Sequence, residues 1–170
     1  MSPTTLRIDS RLVHGQVVET WLPALRIDSI VVVDEGTAMS RLAKGAMQLA
    51  LPPNVTLTVV DPNEADRTIL GNDERVLVLV ASVEMAVHLV EHLEVAFDSL
   101  VVNVGVVHDR PGTRPITPGI HLSEEEIDLL AGLAEQGFNV EVRGLPSHSP
   151  LAVEEARTRY LEQGGPGNDL

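Results

Sequence analysis

Short apolar runs alternate along this chain with segments of helical spacing, and the two periods decide most of the reading. "TTLRID" (4–9) reads as a first strand and "GQVVETWLPAL" (15–25) as an amphipathic helix. "IDSIVVVD" (27–34), "VTLTVVD" (55–61), "RVLVLVA" (75–81) and "SLVVNV" (99–104) are continuous apolar runs, the pattern of strands buried on both faces. Between them lie helical stretches. "AMSRLAKGAMQLA" (38–50) puts Ala38, Leu42, Ala46 and Leu49 on one side, "PNEADRTIL" (62–70) opens with Pro62, and "SVEMAVHLVEHL" (82–93) has a packed stripe at Val83, Ala86, Val87 and Val90. After a Pro- and Gly-rich stretch (105–119), read as one long irregular loop, comes the helix "SEEEIDLLAGLAEQG" (123–137). Ser123 and Glu126 are spaced as a capping box. "NVEVRGL" (139–145) is a last strand and "LAVEEARTRYLEQ" (151–163) a final helix.

Regular strand–helix alternation predicts an α/β fold, an open, twisted, mostly parallel sheet with helices on both faces. No repeat or linker divides the 170 residues, so a single domain over 1–163 is expected, with 164–170 as a disordered tail. Aromatic residues make up 2% against 44% hydrophobic, so the core is aliphatic. In a sheet of this kind ligands bind beyond the carboxyl ends of the strands. Asp9, Asp34, Asp61, Ser82 and Asn103 fall at those ends, and His14 belongs to the same rim.

Charge and residue usage remove several function classes. A net charge of −13 argues against a nucleic-acid partner, which needs a basic surface. With no cysteine there is no disulfide, thiolate metal site or cysteine nucleophile. No run approaches the ~20 apolar residues of a membrane span, and the N-terminus lacks the pattern of a signal peptide, so a cytoplasmic protein is expected. The phosphate loop, the dinucleotide fingerprint and the nucleophile elbow are absent from the sequence, and no cofactor is expected. "HLVEH" (88–92) matches a zinc-peptidase pattern, but the apolar stripe of its helix leaves His88, Glu91 and His92 to the solvated side, and no metal is expected there.

"LRIDSRLVHGQVV" (6–18) is where chemistry concentrates. His14 stands where a strand gives way to a helix, among backbone N–H groups the helix cannot satisfy, and at the positive end of its dipole. Arg11 can add a bidentate grip on phosphate oxygens. A neutral imidazole is a competent nucleophile near neutral pH. The set suits a phosphohistidine, with Asp9 orienting the ring. On the residues alone a helix-start histidine with a satisfied ring is an equal alternative, as is Asp9 acting as a turn residue.

"RIDSRLVHGQVVETW" resembles the opening motif of the IIB component of the mannose/fructose/sorbose-type bacterial phosphotransferase system, R-I-D-D-R-L-I-H-G-Q-V followed by Trp. "IVVVDEGTA", "LPPNVTLTVVD", "SLVVNVG" and "SEEEIDLLAGLAEQGFNVEVRGLP" extend the resemblance over roughly residues 6–148. It implies an open sheet of about seven strands. It also implies phosphotransferase activity in which His14 accepts, through Nδ1, the phosphoryl group of a phosphohistidine on a IIA protein or domain. The group then passes to a sugar held by the membrane components IIC and IID. Arg11 is implied to stabilise the phosphoryl group, with Asp9 at the ring and with Ser10, Gly15 and Gln16 in the surrounding loop. Arg110 and Arg114 are placed for docking the donor, and the protein is expected at the membrane only peripherally. A regulatory phosphohistidine module without a permease is the alternative. Two departures stand out: Ser10 replaces the second Asp of the motif, and Val106 replaces the second glycine of N-V-G-G.

Overall fold

The computed structural model describes residues 4–70, 75–93 and 99–164. Six strands form one parallel sheet: β1 (Thr4–Ile8), β2 (Ser29–Val33), β3 (Thr56–Val60), β4 (Val76–Val80), β5 (Leu100–Val104) and β8 (Asn139–Val142). Their order is β3-β2-β4-β1-β5-β8, and every neighbouring pair runs parallel. β6 (Arg114–Thr117) and β7 (Ile120–Leu122) form a separate antiparallel pair. The main sheet therefore has one strand fewer than expected, and the stretch read as an irregular loop contains β6. Two prolines hid that strand. A two-stranded ribbon tolerates Pro115 because it needs few ladder N–H groups, and the turn at Pro118–Gly119 puts Gly119 at φ +80, which favours glycine.

Strand alternation sorts the core into two clusters, one on each face. Leu6 and Ile8, Val31 and Val33, Val76, Val78 and Val80, and Leu100, Val102 and Val104 face the larger cluster. There they meet α4 (Ala65–Leu70), α5 (Val83–His92), α6 (Glu124–Glu135) and α7 (Val153–Glu162). Ile30, Val32, Leu77 and Leu79 face the other cluster with Leu12, Val17, Leu22, Leu51 and Val55. β1 connects towards β2 across this second face, whereas its two neighbours, β4 and β5, connect through helices on the first. The carboxyl end of β1 is thus a switch point, where such sheets open a crevice.

The helix after β1 covers the second face. Helical residues run from 15 to 25, as the apolar spacing predicts, but Val17–Trp21 is a π-helical turn followed by α1 (Leu22–Leu25). The widened turn seats Trp21, which is 1% exposed and donates its Nε1–H to the carbonyl of Gly144 at 3.1 Å. The expected single helix over 38–50 is two, α2 (Glu35–Met39) and α3 (Arg41–Ala50), broken at Ser40, whose extended backbone lets its hydroxyl cap Ala43 N–H. The side of α3 carrying Leu42, Ala46 and Leu49 faces solvent. Ser123 and Glu126 form the predicted capping box on α6, and Ser82 caps α5. His88, Glu91 and His92 are exposed. From residue 165 onward the expected tail lies outside the described residues.

One row of polar residues runs across the second face beneath Trp21. Arg7 on β1 pairs in register with Asn103 on β5, and Asn103 with Glu141 on β8. The Arg7 guanidinium lies 4.6 Å from the Trp21 ring centroid. A Cβ on Gly105 would fall on that guanidinium, so glycine serves there for room and not for its backbone angles. Gly105→Ala is expected to destabilise the fold by about 1–3 kcal/mol through overpacking, read from chemical denaturation midpoints.

Candidate functional site

β1 ends at Ile8, and a tight turn follows, held at several points. Asp9 N–H donates to the Val80 carbonyl at 2.9 Å, Ser10 N–H to Val106 at 2.8 Å, and Leu12 N–H to Asp9 at 2.9 Å. Leu12 takes a left-handed backbone, φ 57, which costs a non-glycine residue roughly 1–2 kcal/mol. Its side chain, 6% exposed, is anchored in the second-face cluster, and that burial holds the turn in its strained form. The chain then reaches His14, whose carbonyl accepts from Val18 N–H at 3.1 Å and opens the helix.

The His14 side chain is 14% exposed, and its Nε2 lies 2.9 Å from Asp9 Oδ2. Asp9 is fully buried. Its Oδ2 also accepts from Arg7 Nη2 at 3.0 Å, and its Oδ1 from Arg11 N–H at 3.1 Å. Burial pushes the Asp9 carboxyl up, but the hydrogen bond with His14, the charge of Arg7 and the Arg11 amide outweigh it. The group therefore sits below the ordinary carboxylate range. An ionised carboxylate only accepts, so the ring donates from Nε2–H, and its Nδ1 carries the free lone pair. The second partner of Asp9 went unassigned in the sequence reading. Arg7 is fully buried, and burial lowers its pKa against the opposing pull of Asp9. Its Nη1 donates to Asn103 Oδ1 at 2.6 Å, and Nη1 and Nη2 also reach the carbonyls of Arg143 and Gly144, each at 3.3 Å. Alternation alone could have flagged it, since Thr5, Arg7 and Asp9 share a strand face.

The other expected residues fall into separate settings. Arg11 is exposed on the turn. Ser10 ties the turn to the loop after β5, its hydroxyl accepting from His108 N–H at 3.3 Å. Val106 supplies its carbonyl to Ser10 without a positive φ, so the missing second glycine costs this loop no strain. Gly15 is exposed, and no atom lies within 4 Å of where its Cβ would be, which leaves space beside His14. Gln16 has its Oε1 buried without a hydrogen-bond partner. Arg110 pairs with Glu126 at the start of α6 and donates to the His108 carbonyl at 3.4 Å. Arg114 is taken up by α7, lying 4.3 Å from the Tyr160 ring centroid and donating to the Tyr160 carbonyl at 3.0 Å. The geometry gathers Asp9, Ser10, Arg11 and His14 on one turn and joins Arg110 to it through the 108 loop. Arg114's contacts lie with α7.

Residues 4–162 match the family model for the PTS system sorbose subfamily IIB component. The chain belongs to that IIB family. This IIB chain is 26% identical over 147 residues to the PTS system fructose-specific EIIB component of Bacillus subtilis, covering 86% of this chain and 90% of that one. It is 33% identical over 151 residues to the PTS system mannose-specific EIIAB component of Escherichia coli, covering 86% of this chain but 46% of that longer protein. The crystal structure of manxB from Thermoanaerobacter tengcongensis superposes with a TM-score of 0.81 at 25% identity, covering 92% of this chain and 95% of that one. The IIBSor domain of the sorbose permease from Klebsiella pneumoniae shares the fold, with a TM-score of 0.80 at 23% identity over 93% of this chain and 97% of that one. No helix among the described residues is long and apolar enough to cross a membrane.

The low Asp9 pKa fixes the sign of an acid effect. Its ionised form stabilises the fold fully above the ordinary carboxyl value of about 3.9, and that contribution is lost as the pH falls through the lower folded value. Asp9→Asn should therefore unfold more readily than the unsubstituted chain at neutral pH, with the gap closing below about pH 4. Thermal melts across a pH series measure it. In nitrogen-15 NMR the unsubstituted chain should show His14 protonated at Nε2, and Asp9→Asn should shift the ring towards the other tautomer.

Proposed function

We propose that His14 Nδ1 is the phosphoryl acceptor of this IIB chain. The Asp9–His14 hydrogen bond carries the reading, because it turns the Nδ1 lone pair away from the carboxylate and fixes the tautomer that can attack. In the first step Nδ1 forms a bond to the phosphorus of a phosphohistidine on a IIA protein or domain. The donor's P–N bond breaks, and its electron pair stays on the donor imidazole. The His14 ring becomes cationic while its Nε2–H remains bonded to Asp9, so the buried carboxylate stabilises the charge that develops. Phosphoryl transfer asks the protein mainly for such positioning and electrostatics.

The surroundings fit the phosphoryl group as well as the ring. Amides in the first turn of the 15–25 helix lack acceptors within the helix and face an anion with the favourable end of the dipole. Arg11, exposed on the same turn, supplies the mobile cation, whereas buried Arg7 stays behind Asp9. The bare flank at Gly15 leaves room for a donor ring. In the second step a sugar hydroxyl oxygen attacks the phosphorus, the hydroxyl proton is lost, and the P–N electron pair returns to Nδ1. The mannose-specific and sorbose-specific relatives support a sugar held by the membrane components IIC and IID as acceptor, with this chain at the membrane surface.

Incubation with phosphoenolpyruvate, the general phosphotransferase proteins and a cognate IIA should place an acid-labile, alkali-stable phosphate on the chain. His14→Ala should take no label; a labelled His14→Ala, or an unlabelled native chain, sinks the assignment. Arg11→Ala should slow labelling on the order of tenfold while its thermal unfolding stays unchanged, because the side chain is exposed.

A further inference from the structure

The most exposed large apolar side chains among the described residues cluster on α2 and α3. Met39 is 81% exposed, Leu42 85% and Leu49 88%. Leu42, Ala46 and Leu49 recur at helical spacing along one side of α3, and no residue of that helix is buried. An apolar stripe of this kind ordinarily packs against something. Its charge also differs from the rest of the chain. Between Glu35 and Asp61 there is no acidic residue, while Arg41 and Lys44 lie along the stripe, so all 25 carboxylates of this −13 chain belong elsewhere. Lys44, the sole lysine, donates Nζ to the Ala38 carbonyl at 2.8 Å and braces the corner between the two helices.

The patch lies on the same side of the molecule as the His14 helix. α2 and the 15–25 helix both leave the carboxyl rim of the sheet, and Met47 of α3 packs against the same cluster as Val17 and Leu22. α3 follows the sheet to its β3 edge, where Thr56 and Thr58 are also exposed and uncharged. Apolar side chains flanked by cations and free of carboxylates match an anionic lipid surface, with the side chains at the acyl boundary and the cations at the phosphates. The cytoplasmic loops of membrane proteins carry an excess of Lys and Arg. They would attract the acidic body of this chain and repel the α2–α3 patch.

We propose that the α2–α3 face rests on anionic lipid headgroups, turning the His14 side of the molecule towards the membrane. Its purpose rests on the phosphocarrier reading, but its surface chemistry does not. Binding through one short stripe is weak and reversible, as a carrier that must leave to reload requires.

Flotation of the full chain with vesicles separates the outcomes. Vesicles mixing phosphatidylglycerol with phosphatidylcholine should carry the chain upward about tenfold more than phosphatidylcholine alone, and about 0.5 M salt should reduce the difference. Leu42→Glu with Leu49→Glu should abolish flotation, and Arg41→Glu should weaken it about tenfold, with thermal unfolding unchanged. Absence of flotation, or flotation that survives the double substitution, overturns the proposal. So does sedimentation showing self-association that Leu42→Glu dissolves, which would assign the face to a second copy. Direct labelling with phosphoramidate tests His14 separately. A chain that floats but takes no phosphate keeps the lipid surface and loses the phosphocarrier reading.

Discussion

A cation buried inside a parallel sheet governs this molecule. Removing a guanidinium from water is expensive, and an ion pair in the interior seldom gains more than an apolar replacement would. Arg7 is nonetheless fully enclosed, with Asp9 on one side, Asn103 on another, the Arg143 and Gly144 carbonyls beyond, and Trp21 stacked over it. Each neighbour comes from a different part of the chain, so β1, β5, the 15–25 helix and the loop after β8 must all be in place before the charge is satisfied. The site inherits that requirement. Asp9 cannot rotate without abandoning Arg7, and the His14 ring takes its orientation from Asp9.

This arrangement divides the labour between two arginines of one short motif. Arg7 is immobile, holds the carboxylate ionised and sets the ring from behind. Arg11 sits on the turn in water, contributes only its amide to Asp9, and keeps its side chain free to follow an incoming anion. The left-handed Leu12 between Arg11 and His14 allows both, because it reverses the backbone while its side chain stays anchored in the core. Ser10 adds a lateral tie to the loop after β5, so the two rim loops are joined through His108.

The sheet was legible because its strands are apolar on both faces, a local signal that needs no knowledge of partners. Helix starts at Ser82 and Ser123 were equally local, each set by one hydroxyl and one amide. The motif placed His14, Asp9 and Arg11 on one turn, and the structure holds them there. The enclosure of Arg7 was not legible. It depends on Gly105, on Asn103 across the sheet and on Trp21 from another face, contacts that no window of sequence contains. The π-helical turn has the same origin, since Trp21 is drawn to the Gly144 carbonyl. β6 escaped notice because its prolines argue against a strand in any large sheet. For α3 the period was right and the inference of burial was not, since an amphipathic pattern records a preference for apolar surroundings without saying that this chain supplies them.

Trp21 is the chain's one tryptophan, and it touches the network that orients His14. Its indole N–H is committed to the Gly144 carbonyl, and two guanidinium groups, Arg7 and Arg143, lie 4.6 and 5.9 Å from its ring centroid. Indole emission responds to nearby charge, so the native chain carries an intrinsic optical gauge of its own carboxylate–imidazole couple. Any event that moves Arg7 relative to Asp9 changes the field across that ring, and the state of the site can be followed in real time without a label.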